Sequence, residues 1–399
     1  MSAGWWDWVL ALAALPVAGA AAYLGLLAAL ARRSPVQPSR SASVPLAVVV
    51  PAHDEEAGIA DTVRSLLAVD YPREAFEVVV VADNCSDRTA EVAGAAGARV
   101  LERRDPERRG KGHALNFAFE RLLGEGRAEA IVVVDADSVV TPNLLAACAT
   151  RLAGGASALQ AHYAVRNASE SWRTRLMAIA FEAFHGVRSL ARERLGLSSG
   201  LRGNGMAFSA ALLREVPHQA FSIVEDLEYG IRLAYAGHRV HYVAEATVYG
   251  QMPATSASAR SQRQRWEVGR QGIARAHAPR LLRRAWRERS PLLLDLALDL
   301  LVPPVSTLAL ACAVGLGACA LAIAAGAPLG IAPWLWGLSA AGLGAYVLRG
   351  WALSGLGPRG LLDLMAAPAY MAWRLLLRRD RGAARSGEWV RTDRDPPRS

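Results

Sequence analysis

The apolar residues of this chain are gathered toward its two ends, and that placement limits the fold more than any single motif does. One apolar window lies at about residues 8 to 31 and a cluster fills residues 291 to 377, while the middle reads as ordinary α/β sequence. With 52% hydrophobic residues and a mean hydropathy of +0.17 over 399 residues, two ordinary water-soluble domains are excluded. Part of the chain is expected in lipid.

The first window, "WVLALAALPVAGAAAYLGLLAALARR", exceeds the roughly 20 residues that a membrane helix needs, and Pro16 would only bend it. A cleaved signal peptide would carry a basic leader, but "MSAGWWDW" has no Lys or Arg, and Arg32 and Arg33 follow the apolar run instead. The positive-inside rule then predicts an outside N-terminus and a cytoplasmic flank. Residues 301–327 and 331–348 read as a helical hairpin with an uncharged connector around Pro328 and Arg-rich outer flanks. Residues 360–377 contain Asp363 and Arg374 and suit a helix lying at the interface rather than a span. The expected organisation is an N-terminal membrane helix with its flank (1–40), a cytoplasmic domain (41–275), a basic interfacial helix (276–300), a membrane hairpin (301–350), and an interfacial helix with a cytoplasmic tail (351–399). The expected location is the inner membrane, with the C-terminus in the cytoplasm.

The formal charge of +9 is concentrated beside the apolar segments, from Arg260 to Arg289, so anionic lipid explains it better than nucleic acid. Cys312 and Cys319 fall inside an expected span, and Cys85 and Cys148 have no CxxC spacing. Neither a zinc site nor a disulfide framework is supported.

From Val44 onward, short β-branched runs alternate with amphipathic helices, which predicts an α/β fold with a mainly parallel sheet. Strands are expected at 46–50, 77–81, 98–101, 130–134, 158–165, 206–210 and 239–243. Ligands of such sheets gather at the carboxyl ends of the strands. There the sequence puts His53, Asp54, Glu55 and Glu56 after the first strand, and Asp83-Asn84-Cys85 after the second, before a helix that Ser86 would cap. "PAHDEEAG" lacks the GxGxxG of a dinucleotide-binding turn, and "GKGHA" lacks P-loop spacing. A tethered oxidoreductase is therefore disfavoured.

"IVVVDADSVV" then delivers Asp135 and Asp137. If the strand continued, residues two apart would share a face and offer two oxygen ligands to a hard cation. Taken alone, a solvated turn at the strand end is the better explanation of the pair. A second acid pair, Glu225-Asp226, opens an amphipathic helix, where acids also serve as mere dipole partners. In "SQRQRWEVGR", Arg side chains suited to phosphate stand beside an indole suited to stacking, although an interfacial anchor reads the same way. Asp295 and Asp299, one helical turn apart, are expected to face water from a helix resting on the membrane.

"VVVPAHDEE", "VVVVADNCSD", "RGKGHALN", "VVVDADS", "GNGMAFS", "VEDLEYGIRLAYAG" and "QRQRW" occur in the order and approximate spacing of a known set, over residues 46 to 270. The chain thereby resembles the membrane-bound family 2 glycosyltransferases, in the branch of cellulose, hyaluronan and poly-N-acetylglucosamine synthases. The ending "EWVRTDR" is similar to that of many bacterial members.

The resemblance implies a nucleotide-diphospho-sugar transferase (GT-A-like) fold flanked by transmembrane helices, with the donor lying across the strand ends. Pro51, Glu55, Asp83 and Lys111 would contact the nucleotide side, with Asp83 near the base. Asp135 and Asp137 would stand beside the diphosphate and its Mg2+ or Mn2+, Asp137 as the direct ligand. Asp226 would be the general base next to Glu225, with Val224 where Thr is frequent. Gln262, Arg265 and Trp266 would line the acceptor end, and Gly203 and Gly205 would allow close approach of backbone. The implied reaction is inverting transfer from a nucleoside-diphosphate sugar, a UDP-sugar first, to a glycan or lipid-linked acceptor. A non-catalytic nucleotide-sugar-binding scaffold or sensor is the alternative, and the intact Asp137 and Asp226 argue against it.

Overall fold

The computed structural model describes residues 4–33, 43–252 and 256–376, with backbone alone at 256–265 and 367–376. Its strands are β1 (Leu46–Ala52), β2 (Phe76–Asp83), β3 (Arg99–Arg103), β4 (Ala130–Val133), β5 (Ser138–Val140), β6 (Ala158–Val165), β7 (Met206–Ser209) and β8 (His241–Gly250). The helices are α1 (Trp5–Leu30), α2 (Ile59–Leu67), α3 (Thr89–Ala95), α4 (Lys111–Glu125), α5 (Leu144–Ala153), α6 (Trp172–Phe181), α7 (Arg188–Arg194) and α8 (Ala210–Glu215). They continue with α9 (Glu225–Tyr235), α10 (Ser256–Glu288), α11 (Pro291–Leu301), α12 (Val305–Ala324), α13 (Ala332–Ser354) and α14 (Gly357–Leu376).

The chain forms two compact units. An α/β unit runs to Thr174 and again from Leu195 to Leu300, and a helical unit combines α1, Arg175–Arg194 and the helices α12, α13 and α14. Residues 175–194 thus interrupt the α/β sequence but pack with helices from both ends of the chain.

In the α/β unit all eight strands form one sheet in the order β3-β2-β1-β4-β7-β6-β8-β5. β1 runs parallel to β2 and β4, β2 to β3, and β6 to β8. β7 lies antiparallel to both β4 and β6, and β5 antiparallel to β8. The sheet is therefore mixed, which corrects the expectation of a mainly parallel one. The parallel half is built by short helical crossovers that force one direction. β7 returns after the long excursion through residues 166–205 and is under no such constraint.

Both faces of the parallel half are covered, as Val-rich strands require. Val48 and Val50 pack against Ile59, Val63 and Leu66 of α2, while Ala47 and Val49 face Ala114, Leu115, Ala118, Phe119 and Leu122 of α4. In both helices the turn-spaced apolar residues are the buried ones.

Beyond the sheet, Ile231 and Ala234 of α9 pack with Leu281 and Ala285 of α10 and with Leu293, Leu296, Ala297 and Leu300 of α11. Asp295 and Asp299 lie on the buried side of α11, at 6% and 3% exposure, so they do not face water as expected. Asp299 is matched there by Arg270 of α10, which donates to its carbonyl and stands 3.6 Å from its carboxylate.

In the helical unit, α1 and α12 are long and apolar enough to cross a membrane. The expected hairpin partner of α12 is α13, which is long but carries Arg349 and is not among the helices that meet both conditions. Pro16 lies inside α1 without ending it. Small residues let α1 and α13 approach closely: a Cβ on Gly25 would sit 3.5 Å from the Gly342 backbone. The Asp7 carboxylate accepts the N–H groups of Gly330, Ile331 and Ala332 at 2.8, 3.1 and 3.0 Å, at the start of α13. Buried Arg188 donates to the Tyr346 hydroxyl at 2.8 Å and Arg192 to the Tyr23 hydroxyl at 2.6 Å.

Candidate active site

The register of the parallel strands decides which loops meet. Pro51 stands opposite Val81, Val49 opposite Val133, and Asp83 closes β2 opposite Arg103. Pro51, Asp83 and the turn after β4 therefore share one edge of the sheet.

Asp135 and Asp137 are not strand residues, contrary to the alternation argument. The ladder ends with the Val134 N–H donating to the Val49 carbonyl at 3.0 Å, and the Ser138 N–H then donates to the Asp135 carbonyl at 3.2 Å, which closes a tight turn into β5. Ala136 points inward, and its carbonyl accepts the Thr62 hydroxyl at 2.8 Å. A buried carbonyl needs such a partner, and Ala136 finds it on α2. The two acids are left half-buried on either side of Ala136.

Lys111, the first residue of α4, links this turn to two others. Its Nζ donates to Asp135 Oδ1 at 2.5 Å and to the Gly203 carbonyl at 2.6 Å, and lies 3.7 Å from Glu225 Oε1. Burial would lower the ammonium's pKa, but Asp135 and Glu225 hold it above the usual lysine range. The loop before α9 is close by, because a Cβ on Gly112 would lie 2.1 Å from the Ala220 carbonyl oxygen.

Glu225 and Asp226 open α9 and are not a solvated dipole pair. Glu225 is 7% exposed. Burial raises both carboxyls above their ordinary values, and Lys111 offsets part of the rise, joined by Arg202 at Asp226. Asp226 Oδ2 and Lys111 Nζ lie against the same backbone position: a Cβ on Gly203 would be 3.4 and 3.5 Å from them. The phenol of Tyr163, raised by burial and then by Asp135 and Asp137, faces the same acids.

Asp83 is 5% exposed and accepts Arg103 Nη1 at 2.6 Å and Asn84 Nδ2 at 3.0 Å. The Asp83 carbonyl is paired with His53 Nδ1 at 2.7 Å. Glu55 is half-buried, and its N–H donates to the Thr89 hydroxyl at 2.7 Å. Ser86 does not cap α3: its N–H and hydroxyl go to Asp54 at 2.7 and 3.1 Å, and Asp87 instead accepts the Thr89 N–H at 2.9 Å.

Asp54, Cys85 and Asp87 converge closely enough for one ion, within 4.8 Å of one another. Two of the three also tie the loops together: Asp54 accepts Ser86 and Asp87, and Asp87 accepts Thr89 and Glu56. Burial would raise the Asp54 carboxyl, but the hydrogen bonds from Ser86 and Asp87 bring it below its ordinary value. This group acts as a clasp between two loops.

Trp266 on α10 is 41% exposed. Three residues further on, Gly269 packs so tightly on Ile223 and Val224 that a Cβ would fall 2.7 and 2.9 Å from them. The helix bearing the Gln-x-x-Arg-Trp motif therefore rests on the two residues that precede Glu225. The side chains of Gln262 and Arg265 lie outside the described residues, as does "EWVRTDR".

Sequence reasoning brought Asp83, Lys111, Asp135, Asp137, Glu225 and Asp226 to one region and missed the polar residues between them. Arg103, Gln160, Tyr163, Arg202 and Asn204 carried no charge pair or motif position that marked them, apart from the place of Asn204 between two glycines.

A mixed sheet whose parallel strands end in Asp83 and in an Asp-Ala-Asp turn, facing a buried acid pair at a helix start, is the domain type of GT-A-like sugar transferases. Residues 44–269 match the family described as Glycosyltransferase like family 2, and the chain belongs to that family.

Among curated relatives, the probable glycosyltransferase YdaM of Bacillus subtilis is 27% identical over 239 residues, covering 57% of this chain and 56% of that protein. A beta-monoglucosyldiacylglycerol synthase of Synechocystis is 28% identical over 232 residues, 56% of this chain and 47% of its own length. The chain thus spans about half the length of the curated relatives it matches. Mannosyltransferase PcManGT from Pyrobaculum calidifontis, solved with GDP-Man and Mn2+, superposes with a TM-score of 0.55 at 21% identity, over 94% of this chain and 100% of that one. That likeness concerns the fold.

Proposed function

We propose that this chain is an inverting, cation-dependent glycosyltransferase that moves a sugar from a nucleoside-diphosphate sugar to a lipid-type or glycan acceptor at the cytoplasmic face of a membrane, with Asp226 as general base. The observation that carries this reading is the convergence on Lys111 of Asp135, the Gly203 backbone and Glu225 with Asp226. It joins a diphosphate-side turn to a base-side helix start.

The acid set fits a divalent cation. Among the described residues, Asp135, Asp137, Glu225 and Asp226 outnumber the cations acting on them, Lys111 and Arg202, and offer hard oxygen donors. Asp137 and Asp135 would hold Mg2+ or Mn2+, which would supply positive charge to the leaving diphosphate.

The remaining steps belong to the chain's own groups. Asp83, with Pro51 and Glu55 on the same edge, would hold the nucleoside, and Lys111 would keep the acids apart. Asp226, its basicity raised by burial, would take the acceptor hydroxyl's proton as that oxygen attacks the anomeric carbon opposite the leaving group. Trp266, with Gln262 and Arg265, would close the acceptor side.

The name of the beta-monoglucosyldiacylglycerol synthase relative favours single addition to a lipid over polymer synthesis. An apolar acceptor suits a chain with two membrane-capable helices. The flanks of α1 support this orientation: Trp5, Trp6 and Trp8 are exposed at one end, and Arg32 and Arg33 follow the other.

Membranes carrying the protein, supplied in turn with UDP- and GDP-sugars, test the reading. Release of nucleoside diphosphate from one donor, with Mg2+ or Mn2+ and a lipid extract present, supports it. Absence of release across the panel would leave the scaffold alternative standing.

A further inference from the structure

Asn204, between Gly203 and Gly205, is fully buried beneath the Asp135–Asp137 turn. Its Oδ1 accepts the Asp135 N–H at 3.1 Å, and its Nδ2 donates to Ser138 Oγ at 2.8 Å. Ser138 Oγ in turn faces Asp137 Oδ1 at 3.4 Å. The amide orientation is fixed by chemistry, because the Asp135 N–H can only meet an oxygen. One side chain therefore grips the backbone before the first acid and the hydroxyl behind the second.

The grip is itself anchored. Gln160 Nε2 donates to the Asn204 carbonyl at 2.7 Å, and Gln160 Oε1 accepts the Arg202 N–H at 2.8 Å. On the other side the Gly205 N–H donates to the Val133 carbonyl at 2.9 Å, the last paired residue of β4. Both glycines adopt positive φ, +79° and +74°, which turns the loop sharply enough to aim Asn204 at the acids. A buried amide must be hydrogen-bonded, and here its bonds go to the Asp135 N–H, the Ser138 hydroxyl and the Tyr163 phenol.

We infer that Asn204 is the positioning residue of the cation site, setting the separation of the Asp135 and Asp137 carboxylates through Ser138. This rests on the cation reading proposed above. Partners that orient metal ligands are typically worth about 10- to 100-fold in metal affinity.

The test is Mn2+ titration of the full chain in detergent micelles, followed by the electron paramagnetic resonance of the free ion, with thermal midpoints taken without metal. Asn204→Ala should weaken Mn2+ binding about 10- to 100-fold. Ser138→Ala should weaken it less, and the double variant should be no worse than Asn204→Ala alone, because both act along one chain of contacts. Unchanged affinity in both single variants, or losses that simply add, would overturn the inference. If Asn204→Ala fails to fold, Ser138→Ala decides alone: weaker binding supports the proposal and wild-type binding overturns it. A wild-type protein that binds no Mn2+ would instead remove the cation reading itself.

Discussion

Lys111 Nζ stands 2.5 Å from Asp135 Oδ1, an ammonium set between the acids of two different loops. Replacing it with Met leaves Asp135 and Glu225 without their shared counter-charge. Breaking a fully buried pair costs about 3–5 kcal/mol. The two side chains here are 22% and 30% exposed, so about 2 kcal/mol is the expected loss after solvent screening. Lys111→Met should lower the urea midpoint accordingly and reduce sugar transfer by about 100-fold or more, measured as initial rates at saturating donor.

Asp226→Asn removes the proposed base while keeping shape and hydrogen-bonding capacity. Turnover should fall by about 10²- to 10⁴-fold. Donor affinity, read by equilibrium binding of the nucleotide sugar, should stay near that of the wild type. Full activity in this variant would remove Asp226 from its role.

Gly205 combines φ of +74° with a Cβ position 2.9 Å from Val248 Cγ2 and 3.1 Å from Ala161 Cβ. Gly205→Ala should therefore destabilise by about 1–3 kcal/mol, from backbone strain and crowding together. Gly124, a helical position with open space around it, provides the control: Gly124→Ala should be neutral or stabilising by less than about 1 kcal/mol.

Asp83 and Arg103 form an ion pair with both side chains 8% exposed. Arg103→Met should cost about 3–5 kcal/mol, because it strands a buried carboxylate. The double replacement Arg103→Met with Asp83→Leu should recover much of that stability, but not nucleotide binding if Asp83 holds the nucleoside. Chemical denaturation and nucleotide titration separate the two effects.

His218 is 3% exposed, and burial pushes its pKa down to about 4, with Arg232 and Lys111 adding to the shift. An unfolded histidine titrates near 6.5, so the folded state binds its proton later than the unfolded state does. Stability from this group is complete above about pH 6.5 and is lost as the pH falls toward 4, by about 3 kcal/mol in all. Unfolding midpoints between pH 7.5 and 4 should fall less steeply in His218→Phe than in the wild type.

The faces of α2 and α4 were legible because helical period alone decides which residues point inward. The carboxyl-end positions of Asp83 and the Asp135–Asp137 pair followed from the Val-rich runs before them. Strand direction was not legible for β7, since alternation reports a face and not a heading. The end of the strand near residue 134 was legible, but the contact that holds the Asp135-Ala136-Asp137 turn was not, because the Thr62 hydroxyl lies 74 positions away. The partner of buried Asp299, Arg270, likewise lies 29 residues earlier on another helix. Asn204 was missed because a neutral amide gives no signal until its partners are known.

The Asp7 carboxylate, with its three N–H donors at residues 330 to 332, has a consequence for synthesis on the ribosome. Asp7 is made more than 320 residues before the partners that hold it. Until then α1 stands without these contacts at its start, while the strands β1 to β8 have already been made. Release of the chain before residue 330 would yield an α/β unit able to pair its strands and a first helix with nothing to hold its end.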